Sequence, residues 1–282
     1  MKVTKNLIQR LLLFIIGVPF FLVLSIYLHH FNFLALFIVC LVTILIATQE
    51  IHSLLTKRYS VYPLGFFIAI ALMNFISLYF FSYNKISPIV FLQGFIVPMF
   101  CLSITEIAVS QTQGFEKSLE RIITGFFIFI YPICLGDFLF LLTHLSFPRL
   151  STALFFIIVF ACDSLAWLFG MLFGNGNRGI FKASPQKSLA GFFGVLVSIG
   201  LCSAFAYYVI PPFKSSVWIT ILIISTSHIA AVIGDLFESI LKRAIGVKDS
   251  GKIIMGRGGI LDSIDSMLFT APVYFFLCKI LL

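Results

Sequence analysis

Along most of this chain, polar residues occur only as short interruptions between long apolar runs. Nine apolar segments can be drawn, at about 7–28, 31–49, 61–81, 86–104, 122–143, 151–173, 189–210, 217–237 and 264–282. Each approaches the ~20 residues that a helix needs to cross the hydrocarbon layer. The expectation is an all-α, polytopic integral membrane protein of about nine transmembrane helices joined by short loops. The first run is too long for a signal peptide and has no small-residue cleavage site, so it reads as a retained span. The chain divides into an N-terminal group of helices with a surface connector, 1–121, and a C-terminal catalytic region, 122–282.

Composition agrees with that pattern. The 282 residues are 60% hydrophobic and 11% charged, with mean hydropathy +1.11, which no soluble domain could cover. Net charge is +8. With the N-terminus in the cytoplasm, 15 of the 19 Lys and Arg fall on the cytoplasmic side, which puts the C-terminus outside. The positive charge therefore reflects cytoplasmic loops facing anionic head groups rather than a nucleic-acid partner. The six cysteines (40, 101, 134, 162, 202, 278) and five histidines are scattered, without disulfide or zinc spacing.

Polar chemistry concentrates in the second half. Two glycine-bearing polar loops, 174–188 and 238–263, fall on the cytoplasmic side. The stretch 234–266 holds five carboxylates (Asp235, Glu238, Asp249, Asp262, Asp265) and five basic residues (Lys242, Arg243, Lys248, Lys252, Arg257) among glycines. Metal-assisted phosphate chemistry needs that mixture: carboxylates for a divalent cation, basic groups for phosphate, and glycine for close backbone approach. Asp235, Ser239 and Lys242 share one helical face, and so do Asp262 and Asp265. Their carboxylates form either a metal cage or helix caps paired with neighbouring Lys and Arg. Asp163 is an ionisable group deep in the sixth span, where a polar cavity or a partner is expected. Gly170 and Gly174 allow a close helix approach. Ser184-Pro185 with Lys182 and Lys187 forms a stiff basic loop, and Ser188 is placed to cap the next helix. In the first half, Glu50 and His52 end the second span. They act as an interfacial cap, or as a contact to substrate or to the catalytic half. Residues 105–121 read as an amphipathic surface connector, and Asp137 as a lone carboxylate that either pairs with another helix or serves function.

These motifs resemble the signature of the phosphatidate cytidylyltransferases (CDP-diacylglycerol synthases). That signature runs S-x-x-K-R, four residues, K-D-x-G, then P-G-H-G-G-x-x-D-R-x-D. Here it is met by Ser239…Lys242-Arg243, Lys248-Asp249-Ser250-Gly251 and Gly256-Arg257-Gly258-Gly259…Asp262…Asp265. Upstream, Asp163-Ser-x-Ala-Trp-x-x-Gly170 and Ser184-Pro-Gln-Lys187-Ser-x-x-Gly191 look like the family's D-[ST]-x-A-[YW]-x-x-G and S-P-x-K-[ST]-x-x-G. The resemblance implies attack of the phosphatidic acid phosphate on the α-phosphorus of CTP, giving CDP-diacylglycerol and pyrophosphate. It also implies Mg²⁺, a monovalent cation such as K⁺, and a homodimer. The length and the lack of extra tails suggest a bacterial inner (plasma) membrane, and the Lys and Arg asymmetry puts the active site on its cytoplasmic face.

The expected catalytic set is Asp235, Lys242, Arg243, Asp262 and Asp265; the resemblance makes Asp235 and Asp262 metal ligands, and the shared helical face adds Asp265 to them. The substrate-binding set is Asp163, Ser184, Lys187, Ser239, Lys248, Asp249, Arg257, Gly258 and Gly259. Three positions depart from the signature: Met255 for proline, Arg257 for histidine and Ser263 for arginine. Arg257 is expected to take over the phosphate contact of the missing arginine. Two other activities share the composition. A CTP-dependent polyprenol or lipid-alcohol kinase would differ in its product. An ion-coupled secondary transporter would show paired interrupted helices in two related halves, whereas the polar groups here crowd into one half.

Overall fold

A computed structural model describes residues 15–82, 88–254 and 258–282. Among the described residues the helices follow in the order α1 Ile15–Ile26, α2 His30–Leu55, α3 Leu64–Ser82, α4 Pro88–Gln113, α5 Ser118–His144, α6 Pro148–Phe173, α7 Leu189–Val209, α8 Val217–Ile245 and α9 Leu261–Leu281. Seven are long and apolar enough to cross a membrane, and α1 and α3 are shorter apolar helices. The described residues form no β-strand beyond three isolated bridges. An apolar sequence in lipid folds this way because only a helix satisfies its own backbone where water is absent.

Alternate connections meet at one end of the bundle. Arg58, after α2, donates to Ala244 O at the end of α8 (2.5 Å). Thr124 of α5 donates to Ser60 O, and Arg243 donates to Ala183 O in the α6–α7 loop. The polar segments after α2, α4, α6 and α8 therefore gather together. At the opposite end, Arg149 in the first turn of α6 meets His29 before α2.

Two elements differ from the sequence reading. The expected 105–121 surface connector is mostly helix. α4 continues to Gln113, and α5 starts at Ser118, so a division at 121 falls inside α5. A buried ion pair decides this: Arg121 donates through Nε and Nη2 to both oxygens of Glu106, at 3.0 and 2.7 Å, and Tyr62 Oη donates to Glu106 at 2.6 Å. A bidentate pair needs two rigid, adjacent helix ends, which an interfacial connector would not supply. The second difference is in the loop drawn at 238–263, whose first eight residues belong to α8, ending in Gly246 (φ +83°). Gly246 N–H reaches Arg243 O and Val247 N–H reaches Lys242 O, a Schellman close that carries the helix past the apolar run. The 174–188 loop lies between Phe173 and Leu189 as expected.

Asp137 pairs with a neighbouring helix: Asn74 Nδ2 donates to it at 2.5 Å. Glu50, two residues before His52, reaches into the catalytic half, and the interfacial-cap reading is corrected on that point. α5 is interrupted by a π turn, Phe129–Cys134, around Pro132, whose missing N–H breaks the regular ladder. The turn sets Tyr131 against Phe237 of α8 and Phe269 of α9.

Candidate active site

The site is built where the polar end of α8 meets the first turns of α9. At Gly234 a Cβ would stand 2.5 Å from the backbone oxygen of Asp265, so the two helices touch backbone to backbone there. Past that contact α8 presents Asp235, Glu238, Ser239 and Lys242 at +1, +4, +5 and +8. The face predicted from the sequence thus gains Glu238, which sits four residues before Lys242 and three after Asp235. That spacing was the signal available in the sequence.

Lys242 is the centre of the cluster. Its ammonium pairs with Glu238 and donates to Asp262 Oδ1 at 2.5 Å. Asp262 Oδ2 accepts from Ser250 N–H (2.9 Å) and Gly259 N–H (2.6 Å). Gly258 makes this possible: its φ is +114°, and a Cβ would lie 2.4 Å from Asp262 Oδ2. Ile254 and Gly258 exchange backbone hydrogen bonds on either side of 255–257. Asp265 is buried; its Oδ1 accepts from Ser266 N–H at 2.6 Å, and Asp235, Glu238 and Asp163 act on it electrostatically.

The α6–α7 loop supplies the opposite wall. Ser184 O accepts from Lys187 N–H with Pro185 second in the turn, so Ser184–Lys187 is a proline-set β-turn. It directs Lys187 to an ion pair with Asp235. Ser188 caps α7, accepting from Gly191 N–H at 3.1 Å, and sits over Gly170 of α6 and over Gly174, which caps that helix. Arg243, a candidate phosphate ligand, is exposed and spent on Ala183 O and Val247 O, which tie this loop to the end of α8. Lys248 and Asp249 are exposed after α8, and Ser239 and Asp163 are half-buried. Arg257 and Met255 lie outside the described residues. Ser263 is in the first turn of α9, where its hydroxyl donates to Gly259 O. His228 is buried and meets Ser198 of α7, as a core histidine does.

With these contacts the helix-cap-and-pairing alternative describes how Asp235 and Asp262 are held. Among the described residues, no three acidic, His or Cys side chains converge as a ready metal cage. Five carboxylates (Asp163, Asp235, Glu238, Asp262, Asp265) nevertheless share the region with two lysines. An all-oxygen donor set with excess negative charge suits a hard cation such as Mg²⁺. Tyr131, missed by sequence reasoning, faces this region: its hydroxyl is buried with no hydrogen-bond partner among the described residues, and Asp265, Glu238, Asp262 and Asp235 act on it. Its only sequence signal was the adjacent Pro132.

A family model described as the cytidylyltransferase family matches residues 8–281. The chain belongs to the cytidylyltransferase family. Among its relatives, the phosphatidate cytidylyltransferase of Rickettsia typhi is 39% identical over 165 residues, covering 57% of this chain and 71% of that protein. The phosphatidate cytidylyltransferase of Staphylococcus epidermidis is 39% identical over 121 residues, 42% of this chain and 45% of the relative. The protein YnbB of Escherichia coli K12 is 30% identical over 191 residues, 67% of this chain and 61% of the relative. The chain thus spans less than two thirds of the last two. For a cytidylyltransferase the cluster has the right inventory: fixed ammonium groups for phosphates, and carboxylates held in place by backbone N–H groups.

Proposed function

We propose that this cytidylyltransferase acts on phosphatidic acid, forming CDP-diacylglycerol and pyrophosphate from CTP. The observation that carries the reading is convergence. Residues of four separated motifs, from α6, the 184–188 turn, α8 and α9, meet in one cluster at the polar end of an apolar bundle. A lipid substrate suits that position: its tails enter sideways among the helices and its phosphate stays at the polar end.

In the reaction an oxygen of the phosphatidate phosphate donates a lone pair to the α-phosphorus of CTP. The bond to the α,β-bridging oxygen breaks, and its electron pair leaves on pyrophosphate. The nucleophile is already ionised at neutral pH, so the site needs no strong general base. Its task is to bring two anions together. Lys187 and Lys242 are the cations at hand, and each can exchange a carboxylate for a phosphate oxygen. Asp262 cannot swing away while two amides hold it. Mg²⁺, held by Asp235, Asp262 and Asp265, would polarise the α-phosphate and screen its charge. A monovalent cation such as K⁺, a homodimeric state, and an inner-membrane location with the site facing the cytoplasm belong to the same proposal. The last is supported by the charge asymmetry and by the gathering of polar segments at one end.

The test is label transfer by purified protein in detergent with phosphatidic acid, Mg²⁺ and CTP labelled at the α or the γ position. Label from the α position is expected in lipid, lost on chelation and in Asp262→Ala. Label entering lipid from the γ position would instead mean a CTP-dependent lipid kinase. A folded protein that labels no lipid would refute the reading.

A further inference from the structure

α2 contributes no group to the chemistry above, yet near its end it carries Glu50, only 7% exposed. The hydrogen bonds of Glu50 go 200 to 211 residues downstream. Oε1 accepts from Ile260 N–H at 3.0 Å; Oε2 accepts from Leu261 N–H at 2.8 Å and from Ser250 Oγ at 3.0 Å. Ile260 and Leu261 are the cap and first residue of α9, and α9 has no capping side chain of its own. A helix start leaves four N–H groups without intrahelical partners. Glu50 satisfies two of them from another helix, with negative charge at the end of the dipole that favours it.

The fit is close. A Cβ on Gly251 would lie 2.3 Å from Oε1, and one on Gly259 would lie 2.3 Å from Oε2. The same turn also holds Asp262, through Gly259 N–H and Ser250 N–H. Ser250 is therefore gripped twice, by its amide on Asp262 and by its hydroxyl on Glu50. Two carboxylates divide the donors of one turn, and neither can be removed without loosening the other. Arg58, just past the end of α2, holds Ala244 O at the C-terminus of α8. The end of α2 thus braces both helices that carry the cluster.

We propose that Glu50 is a positioning residue for nucleotidyl transfer. It holds Ser250 against Ile260 and Leu261 so that Asp262 stays against Lys242, and it contacts neither substrate, since its oxygens are enclosed and engaged. This rests on the reaction assigned above.

Glu50→Gln keeps the size but sets an NH₂ donor against an N–H donor. Its kcat is expected to fall about 10–100-fold, as for outer-shell partners of a site, while KM for CTP and for phosphatidic acid changes little. Amide exchange of detergent-purified protein, followed by mass spectrometry, is expected to quicken about tenfold or more in peptides spanning 250–262 and to stay unchanged in α3 and α4. Glu50→Asp, which keeps the charge, should fall between. Wild-type exchange in 250–262, or faster exchange with unaltered kcat per folded molecule, would overturn the proposal. If Glu50→Gln does not fold, Ser250→Ala removes one donor to Glu50 and is read the same way; wild-type values in both measurements overturn the proposal. The exchange arm needs no substrate, so it judges the clamp even if the wild-type protein labels no lipid, a result that would refute the reaction alone.

Discussion

Replacing Gly234 with alanine puts a Cβ 2.5 Å from the backbone oxygen of Asp265 and 3.1 Å from Phe269 Cβ. Ordinary contact begins near 3.4 Å. The obstacle is backbone, not a side chain that can rotate away, so α9 has to move off α8 by about 0.9 Å. That motion separates Asp262 and Asp265 from Asp235, Glu238 and Lys242. A misplacement of ~1 Å can cost ~100-fold in rate, and a drop of about that size is expected in label transfer at saturating substrates. Stability should change much less: overpacking costs ~1–3 kcal/mol, and alanine regains ~1 kcal/mol over glycine inside a helix. The net of about 0–2 kcal/mol is read as a small shift in Tm. Gly200→Ala in α7, where nothing lies within 4 Å of the new Cβ, is the control and should keep full activity. A Gly234→Ala protein within about threefold of wild type would refute the reasoning, because the α8–α9 spacing would then not govern the chemistry.

Lys242→Met removes the ammonium shared by Glu238 and Asp262, whose side chains are 1% and 4% exposed. Loss of activity is expected, together with about 3–5 kcal/mol of stability, read as a fall in Tm; an unchanged Tm would show that the two carboxylates do not depend on it. Arg121→Met leaves Glu106 buried without its cation, with the Tyr62 hydroxyl still donating to it, and a similar loss is expected. The double variant Arg121→Met with Glu106→Met should be more stable than either single one, with activity per folded molecule retained in all three. Additive losses in that cycle would count against a buried pair that acts as a unit.

The apolar pattern located the helices of the described residues, seven of them long enough to cross a membrane, because each must satisfy its backbone internally, a property of the segment alone. The same local logic made the proline turn at Ser184–Lys187 and the Ser188 cap readable, since turn and cap chemistry act within four residues. The α8 face was readable too, because helical period fixes which residues are neighbours. Helix boundaries were less so. α8 runs eight residues beyond its apolar stretch because Lys242, Arg243 and Gly246 finish it with their own contacts, and hydropathy does not register those. The 105–121 segment looked amphipathic because Glu106 and Arg121 are charged; their mutual burial is what makes them part of the interior.

Which groups meet across helices was decided only by the tertiary structure. Glu50 is one carboxylate near a helix end, and nothing within ten residues of it reveals that its donors lie at 250, 260 and 261. Tyr131 reads as one more aromatic residue until the π turn at Pro132 sets it toward four carboxylates. Lys187 could have faced solvent, phosphate or acid, and the turn it sits on points it at Asp235. Periodicity tells which side chains share a face. What that face meets depends on how helices far apart in the chain pack, and for this protein the packing turns a row of acidic and basic residues into a site.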